Sequence, residues 1–215
     1  MKDRRMLPAI LTTLVFSSAI LTIFTAYYDR ERTHYLFKPL TIIFIILIAL
    51  ESKFPTSSFY KYAIIAGLLF SLAGDIFLML PRDRFTAGLV SFLIAHLFYI
   101  AAFWSESGRA LSIRAVIPFL IYGSLMLRML WRNLGKMRLP VMIYMLVILM
   151  MGWTAASRMM VTGERGSMLA FTGALLFIAS DSMLAIDRFR GRFKGAQAYI
   201  LTTYFAAQWL IALST

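Results

Sequence analysis

The chain has 215 residues, 60% of them hydrophobic and 15% charged, and its mean hydropathy of +0.77 is far above that of an ordinary soluble domain. It contains no cysteine, which excludes disulfides, thiolate nucleophiles and zinc–sulfur sites and leaves His34 and His96 as the only imidazoles. The formal net charge of +12 is spread over the ends of apolar runs with no soluble basic module between them, so the expected partners are anionic membrane lipids and not nucleic acid.

A helix needs about 20 apolar residues to cross the hydrocarbon core, and lipid tolerates no unpaired backbone. In chain order the sequence predicts eight such helices at 8–28, 36–50, 62–80, 85–104, 113–131, 139–157, 167–186 and 195–213. The first follows Met1-Lys2-Asp3-Arg4-Arg5, but its apolar stretch is long and no small-residue cleavage site follows, so it reads as a helix and not as a signal peptide. The second opens at Lys38-Pro39 and the sixth at Arg138-Leu139-Pro140. Connections such as Pro81-Arg82-Asp83-Arg84 are too short for a soluble catalytic domain. The expected fold is therefore an all-α integral membrane protein, one bundle over residues 1–215. Lys and Arg are slightly more frequent in the odd-numbered connections, which favours a cytoplasmic place for these, whereas the basic N-terminal segment argues for the reverse.

Residues 66–75 of the third span align without gaps against 172–181 of the seventh, with Gly67/Gly173, Leu69/Leu175, Ala73/Ala179 and Asp75/Asp181 identical. Tyr99 and Tyr204 then follow at nearly equal distances from their aspartates. A parallel four-plus-four duplication, with halves 1–104 and 113–215, accounts for this. Chance likeness between low-complexity apolar helices accounts for it as well.

The third and seventh spans run in the same direction, and each aspartate lies about 7 Å before its helix end, so Asp75 and Asp181 share a depth. Lys38, at the start of an antiparallel helix, reaches the same membrane face. There it is either part of a site or an anchor that snorkels to headgroups. Arg128 reads as an anchor of that kind. His96 lies about 16 Å down the fourth helix, with Tyr99 one turn on, and Tyr204 reaches a similar depth in the eighth. The result is a polar slot open to one leaflet. Ionisable side chains inside a membrane are costly and usually face the bundle interior at functional sites, and two carboxylates at one depth repel unless one is neutral. A structural interhelical hydrogen bond is the alternative for His96. Met142, Tyr144 and Met145 read as lipid-facing or packing residues. Asn at either aspartate is expected to leave stability unchanged or slightly higher.

Phe37-Lys38-Pro39-Leu40, Ser71-Leu72-Ala73-Gly74-Asp75, Ala95-His96-Leu97-Phe98-Tyr99 and Ala179-Ser180-Asp181, in this order and spacing, resemble the YhhN family, whose animal members are the lysoplasmalogenases of the TMEM86 type. The resemblance runs over nearly the whole chain. It implies an eight-span hydrolase, in a bacterial inner membrane, that cleaves the vinyl ether of a lysoplasmalogen or related lysophospholipid to a fatty aldehyde and a glycerophospho-headgroup. It also implies Asp75 and Asp181 as the catalytic residues.

Two carboxyls suit that reaction. Protonation of the β-carbon of a vinyl ether leaves an oxocarbenium ion that water traps, so one carboxyl can serve as acid while an ionised partner stabilises the cation and activates water. No metal or cofactor is then needed. Lys38, His96, Tyr99, Tyr204 and Arg82 are the candidate substrate-binding residues. The competing reading is a proton-coupled transporter of a small molecule or lipid, which also uses intramembrane carboxylates.

Overall fold

The computed structural model describes residues 3–28, 31–52, 56–81, 83–108 and 111–215. Among these it forms α1 (Asp3–Tyr27), α2 (Glu31–Glu51), α3 (Ser58–Met79), α4 (Phe85–Ser105), α5 (Ile113–Leu130), α6 (Arg138–Thr162), α7 (Arg165–Phe189) and α8 (Ala196–Leu213). Seven of the eight are long and apolar enough to cross a membrane. The eighth, α8, carries Gln197 and Gln208 in its 18 residues and is buried among the others along Ile200, Tyr204, Ala207 and Ile211. Large side chains such as Ile20, Leu36, Leu125 and Leu146 stand exposed around the bundle, as hydrocarbon solvent permits and water would not.

Several helices are longer than hydrophobicity predicts, because polar residues extend them into the interface. The second begins at Glu31 and the sixth continues to Thr162. Pro39 therefore lies inside α2, and Lys38 is two turns into the helix instead of at its start. Arg158, beyond the predicted end of the sixth span, falls inside α6 and is 1% exposed. Its guanidinium donates to the Tyr60 hydroxyl and lies over the same ring, 4.2 Å from the centroid. The Tyr60 hydroxyl in turn meets Ser214 Oγ at 2.7 Å, so this cation ties α6 to α3 and α8.

The tightest contacts are the antiparallel pairs α3–α4, α7–α8 and α1–α2. The two halves join where α4 packs on α6 and where α8 packs on α1 and α2, while α5 rests on α6 and touches α7 only lightly. In both halves the second helix packs on the third and the third on the fourth. Small residues allow the close approach within α3–α4. A Cβ on Gly67 would fall 2.3 Å from the Tyr99 ring, and one on Gly74 would fall 2.7 Å from Phe92.

Gly67→Ala should therefore overpack the α3–α4 seam and lower stability by about 1–3 kcal/mol, whereas Leu69→Ala, at a side chain 51% exposed, should cost far less. Thermal unfolding of both variants in detergent checks this, and equal effects would contradict the seam.

Candidate active site

Helices of odd number end at one face of the bundle, and there a cavity of about 630 Å³ opens between α2, α3, α7 and α8. Asp75 and Asp181 both line it. Asp75 reaches it from the last turns of α3 and is 1% exposed. Lys38 Nζ from α2 lies 3.0 Å from Asp75 Oδ1, and the Tyr204 hydroxyl from α8 donates to Oδ2 at 2.6 Å. The longer α2 explains why Lys38, 8% exposed, turns inward instead of snorkelling.

Asp181 is partnered differently. The Tyr144 hydroxyl from α6 donates to its Oδ2, and among the described residues no cation pairs with it. Tyr144, 9% exposed, is thus neither lipid-facing nor mere packing, which corrects the sequence expectation. The missed signal was helical period, since Val141, Tyr144, Ile148, Met151, Ala155 and Arg158 form one buried stripe of α6, spaced three and four apart.

The other candidates divide. Tyr204 and Lys38 line the cavity. His96 and Tyr99 are both 0% exposed and lie behind its wall, outside its lining. Phe177 packs against His96, Tyr99, Phe92 and Tyr204 with ring centroids 4.7, 6.4, 6.3 and 5.5 Å away. Tyr99 donates to Gln208 Oε1 at 2.7 Å, so its hydroxyl secures α4 to α8. Both His96 nitrogens are without a hydrogen-bond partner among the described residues. Both stand behind the lining, against the aromatic layer that backs it. Arg82 lies outside the described residues.

The mouth is ringed by Asp83, Arg84, Asp187, Arg188 and Arg192. Arg188 bonds Asp83 and stacks over Phe85 at 4.9 Å, linking the α3–α4 connection to α7. The Arg188 guanidinium, helped by the Phe85 amide, holds the Asp83 carboxyl below the usual carboxylate range. What this exposed pair adds to stability is present above that range and is lost as pH falls through the depressed value. Among the described residues, no three His, Asp or Glu side chains come together as a metal ligand set.

The YhhN family profile matches residues 33–215. This chain belongs to the YhhN family. It is 29% identical to the membrane protein YhhN of Escherichia coli O6:H1 over 197 residues, covering 92% of this chain and 94% of that one. It is 37% identical to lysoplasmalogenase TMEM86A of Bos taurus over 156 residues, 70% of this chain and 64% of the relative. It is 36% identical to human lysoplasmalogenase TMEM86B, over 72% of this chain and 64% of that protein. No solved structure matches the chain. The matched region takes in α3, α4, α6, α7 and α8, which carry the aspartates, both tyrosines and the aromatic layer, as well as Lys38 of α2.

The unequal partners of the two aspartates bear directly on stability. Breaking a buried ion pair strands a charge at a cost of about 3–5 kcal/mol, so the sequence expectation that Asn is harmless at both positions fits Asp181 alone. Lys38→Met should destabilise most, because Asp75, 1% exposed, would be left with its charge and no cation beside it. Asp75→Asn should cost less, since the lysine stem can turn to the mouth, and the double variant should recover most of the loss. Detergent unfolding of the four variants measures this, and unchanged stability in Lys38→Met would contradict a buried pair.

Proposed function

We propose that this protein hydrolyses the vinyl ether of a lysoplasmalogen, or of a closely related lysophospholipid, by acid and base catalysis from Asp181 and Asp75. The observation that carries this reading is that two carboxyls on the wall of one membrane cavity have unequal partners. Its names come from relatives, since the TMEM86A and TMEM86B proteins that this chain resembles are lysoplasmalogenases.

The pairing supports a division of roles. Asp75, held between an ammonium and a tyrosine hydroxyl, carries the negative charge. Asp181 has a hydroxyl but no cation, and a second uncompensated carboxylate in a low-dielectric cavity is costly, so Asp181 keeps its proton. Tyr144 occupies its Oδ2, which leaves Oδ1 as the acid oxygen.

The cycle then closes without net proton exchange. Asp181 gives its proton to the β-carbon, and the C–H bond forms as the C=C pair shifts to leave an oxocarbenium ion opposite Asp75. Water attacks the α-carbon, the one bonded to the ether oxygen, while Asp75 takes its proton, giving a hemiacetal. As the hemiacetal collapses, protonated Asp75 returns its proton to the departing glyceryl oxygen, and Asp181 receives the hydroxyl proton of the nascent aldehyde. Both carboxyls end as they began.

The headgroup phosphate falls to Arg84 and Arg192 at the mouth, which form no ion pair among the described residues. Lys38 is committed to Asp75 and Arg188 to Asp83. Lys38 therefore serves the charge state of Asp75 and not the phosphate, a change from the role first assigned to it.

Purified protein in detergent should release aldehyde from lysoplasmalogen and leave the ester-linked lysolipid intact, with full activity after exhaustive chelation. Asp75→Asn and Asp181→Asn should each lower turnover by about three orders of magnitude or more, with the double variant hardly worse than either single, because members of one catalytic unit are not additive. Near-normal cleavage by either variant, or proton-driven movement of intact lipid across vesicles without aldehyde release, would contradict the reading.

A further inference from the structure

A substrate held with its vinyl ether between Asp75 and Asp181 must place its hydrocarbon chain somewhere, and the bundle axis is closed. Below the carboxylates, Phe92, Phe177 and Tyr204 meet edge to face with centroids 5.5 to 6.3 Å apart. His96, Tyr99 and Phe103, each 0% exposed, fill the next layer. A straight chain has no path through this packing.

A second space lies beside the site. A groove of about 380 Å³ runs between α5, α6 and α7, lined by Ala115, Phe119, Tyr122, Ala156, Leu175 and Ala179 among others. None of its lining residues is charged. Alanines on three helices open it, and α5 leaves it uncovered because it touches α7 only lightly. Its upper end comes close to the chemistry. Ile178 lines the groove and precedes Asp181 by three residues, about 4.5 Å along α7. At the level of Asp181 the Tyr122 hydroxyl donates to Ser182 Oγ at 2.6 Å, the one polar bridge between α5 and α7 among the described residues.

We infer that this groove holds the alkenyl chain of the lysolipid substrate, which enters sideways between α5 and α7 past the Tyr122–Ser182 bridge. The inference rests on the hydrolase reading for the identity of the lipid. Its chemistry stands on the groove itself, since an uncharged crevice at membrane depth accepts hydrocarbon and refuses a phosphate or a peptide backbone. The juxtaposition with Asp181 favours the substrate chain over a bulk lipid tail, because the groove's upper end lies within one helical turn of that carboxyl.

Two measurements test it. The first uses a non-hydrolysable alkyl-ether lysolipid with a photoreactive diazirine at the chain end, cross-linked to the full chain in detergent micelles and mapped by mass spectrometry. Cross-links should concentrate on the groove residues Phe119, Leu175 and Met160 and should be displaced by unlabelled lysolipid but not by equal diacyl phospholipid. Labels spread over the outer faces of α1 and α2, or equal displacement by either lipid, would show a bulk lipid tail and overturn the proposal.

The second measurement narrows the groove with Ala179→Phe and compares kcat/KM for long-chain and short-chain vinyl ether lysolipids. The preference for the long chain should fall about tenfold or more, and an unchanged ratio would count against the groove. If the wild type cleaves no vinyl ether, the hydrolase reading fails, while the cross-linking result still decides the groove.

Discussion

A lysine and an aspartate held 3.0 Å apart inside a membrane bundle set the character of this protein. Both charges are nearly removed from solvent, so each exists only because of the other. The pair fixes α2 against α3, and with the Tyr204 hydroxyl on the second carboxylate oxygen it draws α8 into the same junction. More important for chemistry, it satisfies one aspartate with a full positive charge and leaves the other with a hydroxyl alone. Two carboxylates in one cavity cannot both ionise cheaply. Two carboxyls with unequal partners are what the proposed division into acid and base requires.

This inequality arises within a bundle whose halves are built alike. Matching helix pairs pack in each half, and Asp75 and Asp181 occupy matching places in α3 and α7. A four-plus-four duplication is our proposal for this likeness. The partners break it. The helix before α3 supplies a lysine, whereas the helix before α7 supplies Tyr144. On the last helix of each half, Tyr204 reaches its aspartate while Tyr99 turns to Gln208. A few side chains thus give the two carboxylates different partners.

The architecture and the convergence of the aspartates were legible in the sequence because hydrocarbon imposes length and apolarity on every span, and charges inside such spans stand out. Lys38 stood out for the same reason. Tyr144 did not, since a tyrosine among methionines carries no charge to flag it, although its place on the buried stripe of α6 was available from helical period. Depth alone did not say which way His96 and Tyr99 face. They sit at the level expected, but rotation about α4 turns them into the layer packed with Phe177, and only the packing of neighbouring helices fixes that rotation. Arg158 was missed because it lies beyond the apolar run of the sixth span, in the extension of α6, where its contact with Tyr60 leaves no mark in a hydropathy pattern.

The central claim, that Asp181 holds a proton while Asp75 is ionised, is open to direct observation by infrared spectroscopy of the purified protein at neutral pH, through the carbonyl stretch of a protonated carboxylic acid. The account predicts one such band from a buried aspartic acid, lost in Asp181→Asn and retained in Asp75→Asn. A band that disappears in Asp75→Asn and survives in Asp181→Asn would reverse the roles. Absence of any protonated carboxyl in the wild type would contradict the account altogether.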